Sequence, residues 1–340
     1  MNLDELRKTA RAIVAEGKGI LAADESFPTI KKRFDTIGVE STEETRRAYR
    51  EMLFTTKGVS EFVSGVILFD ETIRQSAGDG TPFPKLLEQQ GIIPGIKVDK
   101  GAKALALCPG EKVTEGLDGL RERLEEYRGL GARFAKWRAV IAIGDGIPSE
   151  TCIETNAHAL ARYAALCQEQ GLVPIVEPEV LMDGDHTIER CYEVTFAVLR
   201  RVFADLADQR VEYEGMLLKP NMVLPGKDCP RQATPEEVAE ATIRCFRHVV
   251  PAAVPGVLFL SGGQSDVQAT LNLNAMNAMG SHPWEISFSY GRALQAPALR
   301  AWAGRPENVP AAQRAYSHRA RMNSLARRGK YRPEMEEEAA

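Results

Sequence analysis

Short apolar runs rich in β-branched residues alternate with longer stretches of helical periodicity along the 340-residue chain. Such runs are typical of buried strands, and apolar residues three and four positions apart indicate amphipathic helices. Eight runs are predicted strands: 19–23, 62–69, 93–98, 132–137, 173–178, 215–218, 256–260 and 285–289. Helical patterns separate most of them: 42–56, 117–130, 152–170, 187–207, 235–249 and 265–279. Strands joined by helical crossovers pair in parallel with right-handed connections.

This alternation predicts the architecture of the chain. Eight strands in one series favour an α/β fold of the closed (β/α)8 TIM barrel type over an open doubly wound sheet. No internal repeat and no linker rich in proline, glycine or serine divides the chain, so we predict a single domain over residues 1–329. The domain is predicted to begin with an amphipathic helix. Residues 330–340 lose apolar periodicity and are acidic, which predicts a mobile, solvated tail.

Composition and charge narrow the classes of partner. The chain has 43 Lys and Arg against 47 Asp and Glu, and this net charge of -4 argues against a nucleic-acid-binding surface. No apolar stretch approaches the roughly 20 residues that span a bilayer. The N-terminal segment also lacks the apolar run of a signal peptide. We therefore expect a cytoplasmic protein with neither a nucleic-acid nor a membrane partner.

Cysteine and histidine positions indicate neither a disulfide framework nor a metal site. The six cysteines are dispersed without a C-x-x-C pair, which is typical of reduced thiols. The five histidines are scattered, with no H-x-H or H-E-x-x-H motif. We interpret His186 as a loop residue. The sequence therefore argues against a metal-dependent carbon–carbon lyase, and no cofactor is predicted.

Polar residues gather at the carboxyl ends of the predicted strands, where barrel enzymes place their active sites. In strand order they are Asp24, Glu25 and Ser26; Asp70 and Glu71; Lys97 and Asp99; Lys136 and Arg138; Glu177 and Glu179; Lys219; Ser261, Gly262 and Gly263; and Ser289, Tyr290, Gly291 and Arg292. A single polar residue at a strand end is ordinarily solvated surface. Residues two apart on a strand share a face, however, so the fourth and fifth strands each present two charges together. Because buried charges are costly unless they pair, this grouping favours a chemical site.

Lys219 is the most distinctive of these residues. It closes the apolar run 215–218 and precedes Pro220, which favours extended backbone at Lys219 and keeps it on the strand. Burial and the nearby cations Lys136 and Arg138 favour a neutral amine, the form that attacks a ketone. The alternative is a buried lysine stem whose ammonium group reaches solvent. The residue alone leaves both interpretations open, although perturbed groups cluster at functional sites.

Two turns at the last strands are candidate phosphate sites. Ser261-Gly262-Gly263 follows a strand and opens a helix, so it offers backbone N–H groups to an anion. Ser289-Tyr290-Gly291-Arg292 does the same on the neighbouring strand and adds a guanidinium group. A second polar cluster lies at the first and third strands: Ser26, Lys32, Arg33 and Lys97. Two anion sites on one barrel predict a substrate with a phosphate at each end.

Seven segments resemble one known family. They read GKGILAADES (17–26), GIKVDKG (95–101), AKWR (135–138), PIVEPEVLMDGDH (174–186), LLKPNMVLPG (217–226), FLSGGQS (259–265) and FSYGRALQ (288–295). In this order they resemble the class I fructose-bisphosphate aldolases, from near the N-terminus to about residue 332. The resemblance implies a TIM barrel, a homotetramer and a metal-free lyase without a cofactor. It also implies reversible cleavage of fructose 1,6-bisphosphate, a reaction of glycolysis and gluconeogenesis, through a Schiff base on Lys219.

The same resemblance implies a role for each site residue. Glu177 would dehydrate the carbinolamine, Asp24 would transfer the proton of the C4 hydroxyl, and Lys136 would stabilise charge nearby. Glu179 would tune these carboxylates. The C1 phosphate and its surroundings would be bound by Ser261, Gly262, Gly263, Ser289, Gly291 and Arg292. The open-chain hydroxyls and the C6 phosphate would be bound by Ser26, Arg33, Lys97 and Arg138.

The chain departs from the family pattern in two places. Phe27, Pro28 and Thr29 replace small residues after Ser26, which leaves the shape of the C6-phosphate loop open. Many relatives end in a tyrosine on a mobile tail, whereas the last aromatic residue here is Tyr331. Another group or water must then protonate the enamine, and the choice between bisphosphate and monophosphate substrates stays open.

Two further functions remain alternatives to the bisphosphate aldolase. One is a different Schiff-base barrel, of the transaldolase or deoxyribose-phosphate aldolase type, which would not need two phosphate sites. The other is a non-catalytic barrel that binds sugar phosphates or serves as a scaffold. That class predicts loss of the charged interior, whereas this sequence retains Asp24, Lys136, Glu177 and Lys219.

Overall fold

The computed structural model describes residues 2–339, and eight parallel strands form its centre as a closed barrel. The ten strands of these residues are β1 (Gly19–Ala23), β2 (Val63–Leu68), β3 (Ile93–Lys97), β4 (Ala102–Ala104), β5 (Lys112–Thr114), β6 (Phe134–Ile141), β7 (Val173–Val180), β8 (Leu217–Leu218), β9 (Gly256–Phe259) and β10 (Glu285–Tyr290). Around the barrel the order is β1-β10-β9-β8-β7-β6-β3-β2, and β4 and β5 form a separate antiparallel hairpin. The predicted TIM barrel is therefore confirmed.

Helices surround the strands and connect them. They are α1 (Leu3–Ile13), α2 (Phe27–Asp35), α3 (Glu43–Phe54), α4 (Asp70–Ile73), α5 (Phe83–Gln89), α6 (Leu120–Gly129), α7 (Glu150–Glu169), α8 (Ile188–Asp208), α9 (Pro235–Val249), α10 (Asp266–Ala278), α11 (Arg292–Trp302) and α12 (Val309–Arg327). Short 3-10 turns occupy Val59–Glu61, Tyr213–Gly215, Pro306–Asn308 and Pro333–Ala339. No helix within residues 2–339 is both long and apolar enough to cross a membrane.

All eight predicted barrel strands are present, although only β1 has the predicted bounds and β6 and β8 differ the most. β6 runs on to Ile141 because it pairs with β7 over its whole length, from Phe134 opposite Val173 to Ile141 opposite Val180. The predicted strand 215–218 shrinks to β8, since Tyr213–Gly215 forms a 3-10 turn. The ladder nevertheless extends past β8, because the Lys219 N–H donates to the Val176 carbonyl at 2.8 Å. Lys219 therefore sits where the sequence predicted it, on the last rung of its strand.

The amino end of the barrel is closed by apolar packing. The predicted amphipathic helix is α1, and its buried residues pack with inward-facing strand residues in one cluster: Leu6, Ala10, Ile13, Ile20, Phe134, Val173, Leu217 and Leu258. The Phe134 ring fills the space beside Gly95, where a β-carbon would lie 2.2 Å from the ring. Glycine is therefore required at residue 95. With this end sealed, the opposite end is left for polar groups.

Several elements were not predicted from periodicity. They include the helices α2, α5, α11 and α12, each of which has proline in its first turn or in its interior. The segment after residue 329 also differs from a solvated tail. Tyr331 is buried and donates to Glu336 at 2.8 Å, and Glu336 pairs with Arg319 and with His318. These contacts dock the segment on α12, and its mobility stays a prediction.

Candidate active site

A cavity of about 620 Å³ opens at the carboxyl ends of the barrel strands. All fifteen predicted site residues line it: Asp24, Ser26, Arg33, Lys97, Lys136, Arg138, Glu177, Glu179, Lys219, Ser261, Gly262, Gly263, Ser289, Gly291 and Arg292. A larger cavity of about 830 Å³ lies outside the barrel between α6 and α7 and contains none of them. We assign the site to the smaller cavity because buried, paired charges converge there.

Four residues from the predicted clusters lie elsewhere. Tyr290 is buried, and its hydroxyl donates to the Ala269 carbonyl at 3.0 Å, away from the cavity. Lys32 is exposed on α2 and does not reach the cavity. Asp70 and Glu71 start α4 and engage other partners: Asp70 pairs with Arg74, and Glu71 pairs with Arg46 at 2.6 Å. These residues follow β2, but their pairing partners on α3 and α4 hold them outside the site.

Four charged side chains form a continuous chain across the cavity floor. The Lys136 ammonium lies 2.7 Å from an Asp24 carboxylate oxygen and 3.3 Å from Glu177 Oε2. The other Glu177 oxygen, Oε1, lies 3.3 Å from the Lys219 ammonium nitrogen. Lys136 and Glu177 lie on β6 and β7, whereas Asp24 and Lys219 directly follow β1 and β8. Lys136, Glu177 and Lys219 are at most 4% exposed. Glu177 thus joins the two lysines, one through each carboxylate oxygen.

The strand register explains this grouping. Leu217 faces the barrel interior, so Lys219, two residues later, faces it as well. Lys136 lies level with Ile175 of the neighbouring strand, and Arg138 lies level with Glu177. Lys136 thus lies two residues below the level of Glu177, and its long side chain extends to the Glu177 carboxylate. The alternative in which the Lys219 head group reaches solvent is not what the structure contains, since the side chain is only 5% exposed.

Electrostatics fixes the charge states of Asp24 and Lys136. Burial would raise the pKa of Asp24, but the Lys136, Lys219 and Lys97 ammonium groups together hold it well below its usual range. Burial would likewise lower the pKa of Lys136, yet the Asp24, Glu177 and Asp99 carboxylates together raise it. Asp24 is therefore an anion and Lys136 a cation in the resting site.

The two carboxylates of β7, Glu177 and Glu179, have different partners. Glu177 contacts the two lysines, whereas Glu179 accepts a hydrogen bond from the Arg138 guanidinium. Lys97 pairs with Asp99 at 2.7 Å and also donates to the Asp99 carbonyl. Burial opposes charge on Arg138, but Glu179 and the neighbouring carboxylates raise its pKa above the ordinary range. Glu179 thus orients Arg138 at the cavity wall.

The candidate phosphate site spans the ends of β9 and β10. Gly262 has a φ of +54°, and a β-carbon on Gly263 would lie 2.9 Å from the Met182 sulfur, so this loop needs glycine. The Ser289 hydroxyl is buried without a hydrogen-bond partner among the described residues. Such an unsatisfied group in a cavity wall is suited to a ligand oxygen.

Arg292 differs from the other cations of the cavity. The seven are Arg33, Lys97, Lys136, Arg138, Lys219, Lys227 and Arg292. Within residues 2–339, six of them contact a carboxylate, whereas the Arg292 guanidinium donates only to the backbone carbonyls of Gly262 and Gln264. Burial lowers the pKa of Arg292; the Asp266 carboxylate opposes this shift, and the nearby Arg33 charge adds to it. An anion placed here would relieve that repulsion.

Arg33 lies beside Arg292 rather than beside Lys97. A β-carbon built on Gly291 would be 3.5 Å from an Arg33 nitrogen and 3.3 Å from the Ala22 carbonyl oxygen. Arg33 therefore faces the β1 and β10 side of the cavity, and the helix that carries it, α2, follows directly after β1. Its placement favours the phosphate site at β9 and β10 over the second cluster proposed from sequence.

Several cavity residues received no role from the sequence, although Glu25 was grouped with Asp24 and Ser26 at the first strand end. Glu25 follows β1 with its carboxylate turned away from the axis, and it binds Arg33 from behind. Lys227 pairs with Asp183 at 2.5 Å across the loops that follow β8 and β7. Both loops lie beyond the strand ends, where no hydrophobic alternation indicates which way a side chain points. Thr29, the third residue of the departure after Ser26, lies 3.2 Å from the Ser26 hydroxyl and lines the same wall.

The family model described as fructose-bisphosphate aldolase class-I matches residues 5–340 of the chain. The chain belongs to the class I fructose-bisphosphate aldolases. It is 62% identical to a probable class 1 fructose-bisphosphate aldolase of Xanthomonas campestris, with 98% of this chain and 100% of that protein covered. It is 58% identical to fructose-bisphosphate aldolase 1 of Toxoplasma gondii, with 96% and 91% covered.

A solved aldolase structure has the same fold. It is the fructose-bisphosphate aldolase of Plasmodium falciparum, in a complex with TRAP and a small-molecule inhibitor. The TM-score is 0.96 at 53% identity, with 97% of this chain and 96% of that chain covered. The predicted family, fold and reaction are thus confirmed: this aldolase is a metal-independent lyase that cleaves fructose 1,6-bisphosphate in glycolysis. The roles of individual residues stay predictions.

Two further observations concern the aldolase site. Within residues 2–339, no group of three or more His, Cys, Asp or Glu side chains is arranged to hold a metal ion. Tyr331, the last aromatic residue, is buried against the tail and is absent from the cavity wall.

Proposed function

We propose that the aldolase works through a Schiff base between Lys219 and C2 of the open-chain substrate. The observation that carries this proposal is the buried Lys219 amine, which lies 3.3 Å from Glu177 in a cavity with phosphate-binding turns. The unprotonated amine adds to the C2 carbonyl, and the carbonyl oxygen takes a proton to give a carbinolamine. Because imine formation then expels this hydroxyl as water, a proton donor beside the nitrogen is required.

Glu177 is the proposed donor for that step. Its Oε1 atom lies beside the Lys219 nitrogen, so it can accept a proton from the ammonium group and return it to the leaving hydroxyl. Its Oε2 atom faces Lys136, which supports the anionic form once the proton has gone. One carboxylate thus serves as base and then as acid in a single half-reaction.

Asp24 is the proposed base for cleavage of the C3–C4 bond. It takes the proton of the C4 hydroxyl, which becomes the aldehyde of glyceraldehyde 3-phosphate. The bonding electrons move into the protonated imine and leave an enamine on Lys219. Asp24 is ready for this role because neighbouring ammonium groups hold its pKa low and keep it ionised. Protonation of the enamine and hydrolysis of the imine then release dihydroxyacetone phosphate.

Two anion sites are proposed to hold the ends of the substrate. The C1 phosphate would lie among Ser261, Gly262, Gly263, Ser289, Gly291 and Arg292, joined by Arg33. The hydroxyls and the C6 phosphate would face Ser26, Lys97 and Arg138. An anion beside Arg292 and Arg33 would be favoured by two guanidinium groups and by the start of α11.

Arg292→Met should raise the KM for fructose 1,6-bisphosphate by about tenfold to a hundredfold, because a charge-assisted bond to the C1 phosphate is lost. The control substrate is fructose 6-phosphate, which has no C1 phosphate and should show a much smaller change. Steady-state kinetics with both substrates checks this result. An equal rise in KM with both substrates would mean that Arg292 supports the fold of the site and does not bind phosphate.

Chelation tests the metal-free chemistry of this proposal. Cleavage of fructose 1,6-bisphosphate should continue at an unchanged rate in millimolar EDTA, with dihydroxyacetone phosphate and glyceraldehyde 3-phosphate formed in equal amounts. The reason is that the protonated imine formed on Lys219 supplies the electron sink that a metal ion would otherwise provide. Loss of activity in EDTA that zinc restores would contradict the proposal.

The assembly and the location of the enzyme are also proposals. The family resemblance implies a homotetramer, and light scattering on the purified protein should then give four times the mass of the chain. A cytoplasmic location is the second of these proposals, and the name of one relative supports it. A relative from Arabidopsis thaliana is itself named a cytosolic aldolase.

A further inference from the structure

A buried hydrogen-bond network lies behind the cavity wall at the end of β1. The Glu25 carboxylate accepts from three side chains: Arg33, Arg50 at 2.8 Å and Gln295 at 2.8 Å. Arg33 lines the cavity, whereas Arg50 and Gln295 do not. Glu25 therefore connects a cavity residue to two residues that substrate cannot touch.

The two hidden members are held rigidly. Arg50 donates through Nε to the Ala23 carbonyl at 3.0 Å, and Gln295 donates to the Ala22 carbonyl at 2.7 Å. The Tyr49 hydroxyl in turn donates to the Gln295 amide oxygen at 3.0 Å. Both backbone acceptors belong to β1, the strand that precedes Asp24. The network is thus fixed to the same strand that carries the proposed base.

The charges of this network are unequal. Arg33 and Arg50 contribute two positive charges, and Glu25 contributes one negative charge. The side chain of Arg50 is 1% exposed and that of Glu25 is 3% exposed, so these two form the buried pair. The side chain of Arg33 is 22% exposed and faces the cavity. Because Arg50 already balances Glu25, the charge of Arg33 is left for a ligand.

We propose that Arg50 is a positioning residue for phosphate binding, which acts on Arg33 through Glu25 and keeps the charge of Arg33 uncompensated. Without Arg50, Glu25 would neutralise Arg33 at the point where it faces Gly291 and Arg292. Gln295 completes the arrangement by donating to Glu25 Oε1, the oxygen that Arg33 contacts, while Arg50 donates to Oε2. This inference rests on the proposed C1-phosphate site, and it adds a residue outside that site to the binding apparatus.

A charge-restoring pair of variants tests the proposal. The readout is the concentration of dihydroxyacetone phosphate that gives half-maximal borohydride trapping on Lys219. Arg50→Met should raise this concentration by at least about tenfold, because Glu25 then cancels the charge of Arg33. The double variant Glu25→Gln/Arg50→Met removes one charge of each sign. It should recover most of the lost affinity, since the amide oxygen still accepts from Arg33.

Unphosphorylated dihydroxyacetone provides the matched control. Its half-maximal trapping should be the same in all variants, because it has no phosphate for Arg33 to bind. An equal rise for both ketones would overturn the proposal, since that result indicates a general defect in the fold. The proposal would also be overturned by a double variant that binds no better than Arg50→Met.

Arg50→Lys covers the case in which Arg50→Met does not fold, because removal of one buried partner is destabilising. It keeps the positive charge, so the half-maximal concentration should stay within about threefold of the unaltered enzyme. A rise of tenfold or more in this variant would contradict the role of charge. If the unaltered enzyme is not labelled on Lys219, the proposed function fails first, which separates the two outcomes.

Discussion

Lys219→Met should lower kcat for fructose 1,6-bisphosphate cleavage on the order of 10⁴–10⁶-fold, the scale expected when a covalent nucleophile is lost. The methionine side chain has similar length and fits a site where Lys219 is nearly fully buried. It supplies no amine, so neither the imine nor the enamine can form. The remaining residues would bind the open-chain sugar but would provide no electron sink for C3–C4 cleavage.

The control for this variant is another lysine-to-methionine change far from the cavity. Lys85 is exposed on α5, and Lys85→Met should leave kcat and KM unchanged. Thermal unfolding of both variants shows whether the fold is intact. A Lys219→Met enzyme that keeps a tenth or more of the normal kcat would contradict the assignment, because another group would then be carrying the reaction.

Glu177→Gln should slow imine formation by roughly 10²–10⁴-fold, the range for loss of a general acid–base group. The amide matches the carboxylate in shape but cannot carry the proton between Lys219 and the leaving hydroxyl. It also leaves the ammonium groups of Lys136 and Lys219 without the carboxylate that separates them. The loss should therefore appear in the rate of trapping and in kcat, with a smaller effect on KM.

Glu179→Gln is the matched comparison for that experiment. Glu179 lies two residues further along β7, but its carboxylate engages Arg138 and neither lysine of the site. Its loss should act mainly through the position of Arg138, so imine formation with dihydroxyacetone phosphate should slow by less than about tenfold. Equal effects of the two changes, or a Glu177→Gln effect confined to KM, would contradict the assigned proton transfer.

The residues at the centre of the site could be predicted from the sequence, because every second side chain of a strand points to the same face. Lys136 and Arg138, and Glu177 and Glu179, are each two residues apart, so one inward residue fixes the other. The apolar run before Lys219 and the proline after it locate that lysine on its strand. These sequence patterns are local. They are sufficient because the carboxyl ends of all the barrel strands lie at the same end of the barrel.

The hydrogen-bond network of Glu25 could not be predicted from the sequence, because its contacts join residues that are far apart along the chain. Glu25 reaches Arg50 across 25 residues and Gln295 across 270 residues of chain, through α3 and α11. No spacing rule connects such positions, since the contacts depend on how the helices pack outside the barrel. Sequence reasoning also grouped Arg33 with Lys97, because it could not foresee that α2 turns Arg33 toward β10.

The bounds of β8 illustrate a similar limit. Its apolar run suggested four strand residues, but only Leu217–Leu218 have strand geometry, since Tyr213–Gly215 closes a turn. The predicted position of Lys219 is nevertheless kept, because its backbone N–H still bonds to the Val176 carbonyl. The site thus depends on one rung of the ladder, and the length of the strand matters less.

Reduction by borohydride in the presence of dihydroxyacetone phosphate, followed by peptide mapping, tests the central claim most directly. We expect one covalent adduct per chain, on the peptide that contains Lys219, and none when the ketone is omitted. An adduct on a different lysine, or full activity after borohydride treatment with the ketone present, would contradict the account.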